Sequence, residues 1–112
     1  MSDFPALAAK LRIAGGPSPE LDAAIAEALG VPAGHHTESV EECRRLVSLA
    51  LPGWRLHLGF DVCGVLPYAV LSKEADRAET EAPTVPLAIL RVLVDVLIKG
   101  AATGSSPGAG QP

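Results

Sequence analysis

The segment TVPLAILRVLVDVLIK, residues 84–99, is the most apolar stretch of the chain and decides the fold. Its charged residues Arg91, Asp95 and Lys99 are spaced four apart, which places them on one stripe of a helix. In a strand the same charges would share a face with leucines. We therefore predict a helix that ends at Gly100 and is buried on most of its sides.

Three amphipathic helices are predicted before this segment. The first covers residues 3–14. The second begins at Ser18, a residue type that caps helix N-termini, and ends at Gly30, a residue type that stops helices. The third begins at Ser39, and Glu42 three residues later completes the pattern of a capping box.

After the third helix, the apolar period changes from 3.6 to 2, which is typical of a half-buried strand over residues 54–60. Residues 61–64 are predicted as a turn and residues 65–71 as a second strand, which together form an antiparallel hairpin. Pro67 makes the second strand an edge or marks its irregular start. The charged residues 73–81 are predicted as a solvated loop.

These elements predict an α+β fold with three to four helices and a small antiparallel sheet built around the hairpin. Residues 1–17 are expected to form an N-terminal helix and linker, and residues 18–100 the folded domain. Residues 101–112 are rich in Gly, Ser, Pro and Ala and are expected to be a disordered tail.

Composition excludes several classes of protein. The chain has 112 residues, of which 48% are hydrophobic, so it can bury enough apolar surface to fold. Its formal net charge is −4 without a basic cluster, which argues against nucleic-acid binding. Residues 84–99 are too few to span a bilayer. The N-terminus does not resemble a signal peptide, and Cys43 and Cys63 lie in unrelated contexts, so we expect a reducing cytoplasm.

The sequence contains no convincing metal, cofactor or catalytic site. His35 and His36 are adjacent, and neighbouring residues rarely converge on one ion, so we expect an exposed polar loop. No glycine pattern predicts a phosphate-binding loop. Glu42 is explained by helix capping, and Cys43 lies on the apolar face of the third helix, where it is expected to be a small core residue.

One alternative site deserves consideration, around Cys63, His57 and Trp54. A Cys–His pair can activate a thiolate, and a tryptophan can stack on a ligand. His57 should point away from the buried face, however, and no third residue is evident to orient it.

Several short motifs resemble a known family. The motif ELD at 20–22 opens a short helix that closes at 29–30, LPGWR at 51–55 leads into an alternating strand, and EAPTVPLAI at 81–89 opens the apolar helix. Over residues 18–99 the chain thus resembles the phage ABA sandwich domain of small phage and gene-transfer-agent-associated proteins. The resemblance implies an α-β-α sandwich, with an antiparallel sheet between helical layers, in a phage or prophage-like setting. It implies no activity and no catalytic residues.

The chain departs from this family in two respects. Family members place an aromatic residue where Val31 stands, and they carry more aromatics than the 4% found here. These departures put an aromatic-lined pocket in doubt.

We therefore expect a non-enzymatic accessory or interaction protein that acts through protein–protein contacts. The apolar helix at 84–99 has more apolar surface than so small a chain should cover, so we expect a protein partner or a homodimer through it. The alternative is a small ligand-binding protein or thiol enzyme that uses Cys63, His57 and Trp54. A mimic of DNA is suggested only by the net charge, and interleaved arginines argue against it.

Overall fold

The computed structural model describes residues 4–104. Four helices and three strands follow one another along the chain: α1 (Phe4–Ile13), α2 (Pro19–Leu29), α3 (Val40–Ala50), β1 (Arg55–Phe60), β2 (Pro67–Lys73), β3 (Asp76–Glu81) and α4 (Val85–Gly104). The strands form one antiparallel sheet on which helices pack, so the predicted α+β class is confirmed.

The helix ends follow the predicted capping residues. The Ser18 hydroxyl accepts a hydrogen bond from Leu21 N, and Gly30 ends α2 in the left-handed conformation with φ 69°. The Ser39 hydroxyl likewise accepts from Glu42 N at 3.2 Å. The Glu42 carboxylate does not complete the capping box, because it accepts from His35 N at 2.8 Å.

The sheet is a meander in the order β1-β2-β3, and β3 is a correction to the sequence-based prediction. Residues 73–81 were expected to be a loop, yet Ala78 lies opposite Leu71, and Arg77, Glu79 and Glu81 lie on the other face of the sheet. Because the outer face of this edge strand is charged and its inner face carries few apolar residues, the sequence lacks the alternation of apolar and polar residues that predicts a strand. A tight turn with Glu74 at φ 55° joins β2 to β3.

Pro67 is the first residue of β2, which is the central strand rather than an edge. Its carbonyl accepts from Ala82 N at 3.2 Å. A proline fits here because the first residue of a strand tolerates a missing N–H at the end of the ladder.

Helix α4 forms the centre of the molecule. One side packs against β2 and β3, and other sides pack against α1 and α3. Seven of its residues are buried to 1% exposure or less: Leu87, Ala88, Ile89, Leu90, Val92, Leu93 and Val94. Helix α4 thus packs on the face of the sheet where Ala69 and Leu71 are buried, and Arg55 and His57 are exposed on the other face.

This burial removes the reason for expecting a homodimer through α4. The chain's own helices and sheet cover the apolar surface of this helix within a single copy. The helix also continues to Gly104, past the predicted end at Gly100, because one internal glycine costs a helix only about 1 kcal/mol. The remainder of the expected tail, residues 105–112, lies outside the described residues.

Arg91 is the polar contact that ties α4 to its neighbours. Its guanidinium donates to the carbonyls of Leu11, Arg12 and Glu81, each at 2.9 Å. Two of these carbonyls belong to the last turn of α1, where helices leave their carbonyls without partners. Helix α1, which was assigned to an N-terminal segment outside the domain, therefore shares the core of the domain.

The position of α4 predicts the effect of a charge in its centre. Replacing Leu93, which is fully buried, by Asp should lower the free energy of unfolding by about 4 kcal/mol or more, because the carboxylate has no partner there. Chemical denaturation measures the loss. Leu49→Asp, at a residue that is 64% exposed on α3, is the control and should change stability little. Equal stability of the two variants would contradict the burial of α4.

Candidate interaction surface

The three residues of the alternative site do not converge. Trp54 precedes β1 and packs against the core, whereas His57 lies on the outer face of the sheet. Cys63 lies in the loop beyond the far end of β1 and is exposed. The whole of β1, about 20 Å long, separates the tryptophan from the thiol. The His57 ring instead neighbours Tyr68, at a distance of 6.3 Å between ring centroids.

Trp54 borders a groove of about 610 Å³ near the C-terminal part of α4. The groove is lined by Phe4, Leu51, Trp54, Asp76, Arg77, Ala78, Val96, Leu97, Lys99 and Gly100. The lining mixes apolar residues with scattered charges, and neither His57 nor Cys63 contributes to it. The groove therefore does not assemble the predicted thiol site.

The two adjacent histidines lie in different environments. His35 is exposed, as expected, but His36 is only 6% exposed, which corrects the prediction that both lie in an exposed loop. His36 Nδ1 lies 3.4 Å from Glu42 Oε1, and neither ring nitrogen has a hydrogen-bond partner among the described residues. Within residues 4–104, no group of three His, Cys, Asp or Glu side chains could hold a metal ion.

A buried polar cluster explains why the loop at His36 turns inward. The Asp22 carboxylate accepts from Thr37 N at 2.7 Å, and the Thr37 hydroxyl accepts from Ser18 N at 2.8 Å. These bonds join the loop to the start of α2. Asp22 therefore has a structural role.

Cys43 is a core residue, as predicted. It is fully buried, and its Sγ donates to the His36 carbonyl at 2.9 Å. Burial, aided by the negative charges of Glu42 and Asp22, raises the pKa of the Cys43 thiol to about 12. A thiol that stays protonated at neutral pH is a poor nucleophile.

Among the described residues, three of the five exposed large apolar side chains lie at the end of β1 and in its connection to β2, whereas the other two, Ile13 and Leu49, lie separately on α1 and α3. We call residues 60–66 the 60–66 loop. Val62 is fully exposed, Phe60 is 60% exposed and Val65 is 69% exposed. Isolated exposed apolar residues are ordinary, whereas several on one short loop mark a contact surface.

Asp61 holds the 60–66 loop in one conformation. Its Oδ1 accepts from Val65 N at 2.8 Å and from Leu66 N at 3.3 Å. Its backbone N–H donates to the Leu66 carbonyl, and Gly64, at φ 71°, donates to the Asp61 carbonyl. The apolar side chains are thus displayed on an ordered turn.

The strand that leads into this loop has an open edge. Because Asp61 N bonds to Leu66 O, antiparallel alternation directs the N–H and C=O groups of Arg55, His57 and Gly59 toward β2. The same groups of Leu56, Leu58 and Phe60 therefore point away from the sheet. Leu56 and Leu58 are only half-buried, because α4 packs beneath β2 and β3 rather than beneath β1.

The two edge strands of the sheet differ in how well their side chains prevent pairing with a strand of another molecule. Edge strand β3 carries four charged residues among six, Asp76, Arg77, Glu79 and Glu81. Edge strand β1 carries one, Arg55. Charges on an edge prevent unwanted pairing with another strand, so β3 is protected and β1 is not.

Sequence reasoning described residues 61–64 only as a turn and missed this surface. The available signal was the placement of Phe60, Val62 and Val65 around a turn, where polar residues are the rule.

A protein-family comparison, a search of curated proteins and a search of solved structures find no match to this chain. Among the described residues, none of the helices has the length and apolar character needed to cross a membrane.

Burial of Cys43 predicts a loss of stability in alkali. The thiol has its ordinary pKa of 9.0 in the unfolded chain and a pKa of about 12 in the folded one. Below pH 9 it is protonated in both states, so its ionisation does not lower the free energy of unfolding. Above that pH, the free energy of unfolding should fall by about 1.4 kcal/mol per pH unit. Urea unfolding as a function of pH measures the slope. Cys43→Ala should show a smaller slope than Cys63→Ala, and equal slopes would contradict the assignment.

The hydrogen bonds of Asp61 predict how the 60–66 loop can be loosened. Asp61→Ala should speed hydrogen exchange of the Val65 and Leu66 amides about fivefold, since a hydrogen bond contributes about 1 kcal/mol. NMR-detected exchange measures the rates. Asp61→Asn retains an acceptor oxygen and should show a smaller change. Unchanged exchange in Asp61→Ala would show that the carboxylate does not order the loop.

Proposed function

We propose that this chain is a non-enzymatic accessory protein that acts through protein–protein contacts made by the 60–66 loop and the neighbouring edge of β1. The observation that carries the proposal is the display of Phe60, Val62 and Val65 to solvent on a turn that Asp61 holds in place. An ordered apolar surface loses little conformational entropy when a partner covers it.

The contact surface differs from the one expected from sequence. Most of helix α4 is covered within the chain, and the exposed apolar residues Phe60, Val62 and Val65 lie at the end of β1 and in its loop. A protein partner stays part of the proposal, with the 60–66 loop in place of α4.

The alternative function, a thiol enzyme or ligand-binding protein, has weaker support. Trp54 precedes β1, His57 lies within it and Cys63 lies in the loop beyond its end, so the three residues do not form one site. Cys63 is exposed and follows Val62 in the 60–66 loop, so it lies beside the apolar contact residues.

A cytoplasmic location and a phage or prophage-like origin complete the proposal. Two free cysteines, Cys43 in the core and Cys63 on the surface, fit a reducing compartment. The origin rests on the family resemblance, and flanking head, tail or packaging genes would support it.

Site-specific photo-crosslinking tests the contact surface. We expect benzoylphenylalanine in place of Val62 to form a covalent adduct in cells of the native source, on a gel above the 11.5 kDa of one chain. Mass spectrometry identifies the crosslinked protein. Adding Val65→Asp should remove most of the adduct, because a charge in the contact disfavours burial.

The matched control is benzoylphenylalanine in place of Leu49, a residue that is also apolar and 64% exposed but lies on α3. It should form no comparable adduct. Equal adducts at the two positions, or none at Val62, would contradict the proposed surface.

A further inference from the structure

We propose that the open edge of β1 pairs antiparallel with β1 of a second copy of this chain, about a twofold axis at Leu58. The two sheets would then form one continuous six-stranded sheet. This inference rests on the proposed function and names its partner.

The backbone of β1 is arranged for such pairing. The N–H and C=O groups of Leu56, Leu58 and Phe60 point away from β2, and no hydrogen bond to them is found among the described residues. With Leu58 opposite Leu58 of the second copy, Leu56 lies opposite Phe60 of that copy. Each of these positions exchanges hydrogen bonds in both directions, which gives about six across the interface.

The same register matches apolar side chains. Residues opposite each other in an antiparallel pair project from the same face of the sheet. Leu58 therefore meets its own counterpart, and half-buried Leu56 meets the exposed ring of Phe60 on the core side. Pairing would extend the core face of the sheet across the twofold axis and cover apolar surface that is open in one copy.

Charge complementarity favours this register over the one centred on His57. It places Arg55 opposite Asp61 of the second copy, a pair of opposite charges. Shifting the twofold axis to His57 would bring two histidines together and place Arg55 opposite a glycine. Opposite-charge cross-strand pairs are favourable, so the register centred on Leu58 suits both the apolar and the charged residues better than the one centred on His57.

The register also connects the 60–66 loop to the interface. Because β1 ends at Phe60 and Asp61 lies opposite Arg55 of the second copy, the turn that contains Val62 lies near the start of that β1 strand, where Trp54 stands. The exposed end of one β1 strand thus meets the beginning of the other strand. The opposite edge of the sheet cannot take this role, because β3 would bring together two strands of net negative charge.

Sedimentation equilibrium of the purified full-length protein tests the pairing. We expect a concentration-dependent dimer of two 11.5 kDa chains. Phe60→Pro removes an N–H that is free in one copy and should raise the dimer dissociation constant at least about tenfold. Phe60→Ala retains that N–H and should have a smaller effect. A monomer at high concentration, or equal effects of the two substitutions, would overturn the inference.

Disulfide crosslinking tests the register without depending on the proline variant. In a Cys63→Ser background, Leu58→Cys should form a disulfide-linked dimer on mild oxidation, because the two Cα atoms of a directly opposite pair lie about 5.5 Å apart. Leu56→Cys, on the same face of the same strand, should not, because its counterpart lies about 13 Å along the strand. Equal crosslinking of the two variants would overturn the register.

The outcomes separate this inference from the proposed function. A monomeric protein whose Val62 crosslinks to a different protein overturns the second copy as partner but leaves the interaction surface in place. A monomeric protein without an adduct at Val62 overturns both. An adduct between two copies of this chain at Val62 supports both.

Discussion

Burial of α4 is the constraint on which the rest of the structure depends. This helix is apolar around nearly its whole circumference, so it must be covered on several sides at once. The sheet covers one side, and α1 and α3 cover others. The helix therefore takes the central layer, and the sheet becomes an outer one. Its Arg91 guanidinium donates to three backbone carbonyls, two at the end of α1 and one at the end of β3.

The same constraint explains why β1 has an open edge. Helix α4 packs beneath β2 and β3, so β1 lies at the margin of the core and its Leu56 and Leu58 stay half-buried. Folding a single chain covers most of the apolar surface of α4 but leaves apolar surface on β1. The surplus of apolar surface that the sequence suggested is thus real, but it lies on a strand and a loop.

The sequence was informative where local signals act alone. Helix ends were predicted from the capping residues Ser18 and Ser39 and from the stop at Gly30. The four-residue spacing of charges identified α4 as a helix. Strand β3 was missed because its pattern is set by pairing with β2, which supplies Leu71 opposite Ala78. The burial of His36 was missed for a related reason, since the bond from Thr37 N to Asp22 spans fifteen residues. The contact surface was predicted only as a turn. Whether apolar residues at the end of a strand are exposed depends on how far the core extends, which the local sequence does not show.

Asp61 links the order of the 60–66 loop to the proposed pairing of β1. Both of its side-chain hydrogen bonds use Oδ1, which leaves Oδ2 for Arg55 of a second copy. A carboxylate already fixed by backbone amides loses little side-chain entropy when it accepts an arginine. The bonds that order the loop also hold Phe60 and Val62 at the end of the exposed edge. Rigid display of apolar residues next to unpaired backbone groups is the combination that strand pairing requires, and in the described residues it occurs on β1 rather than on the charged strand β3.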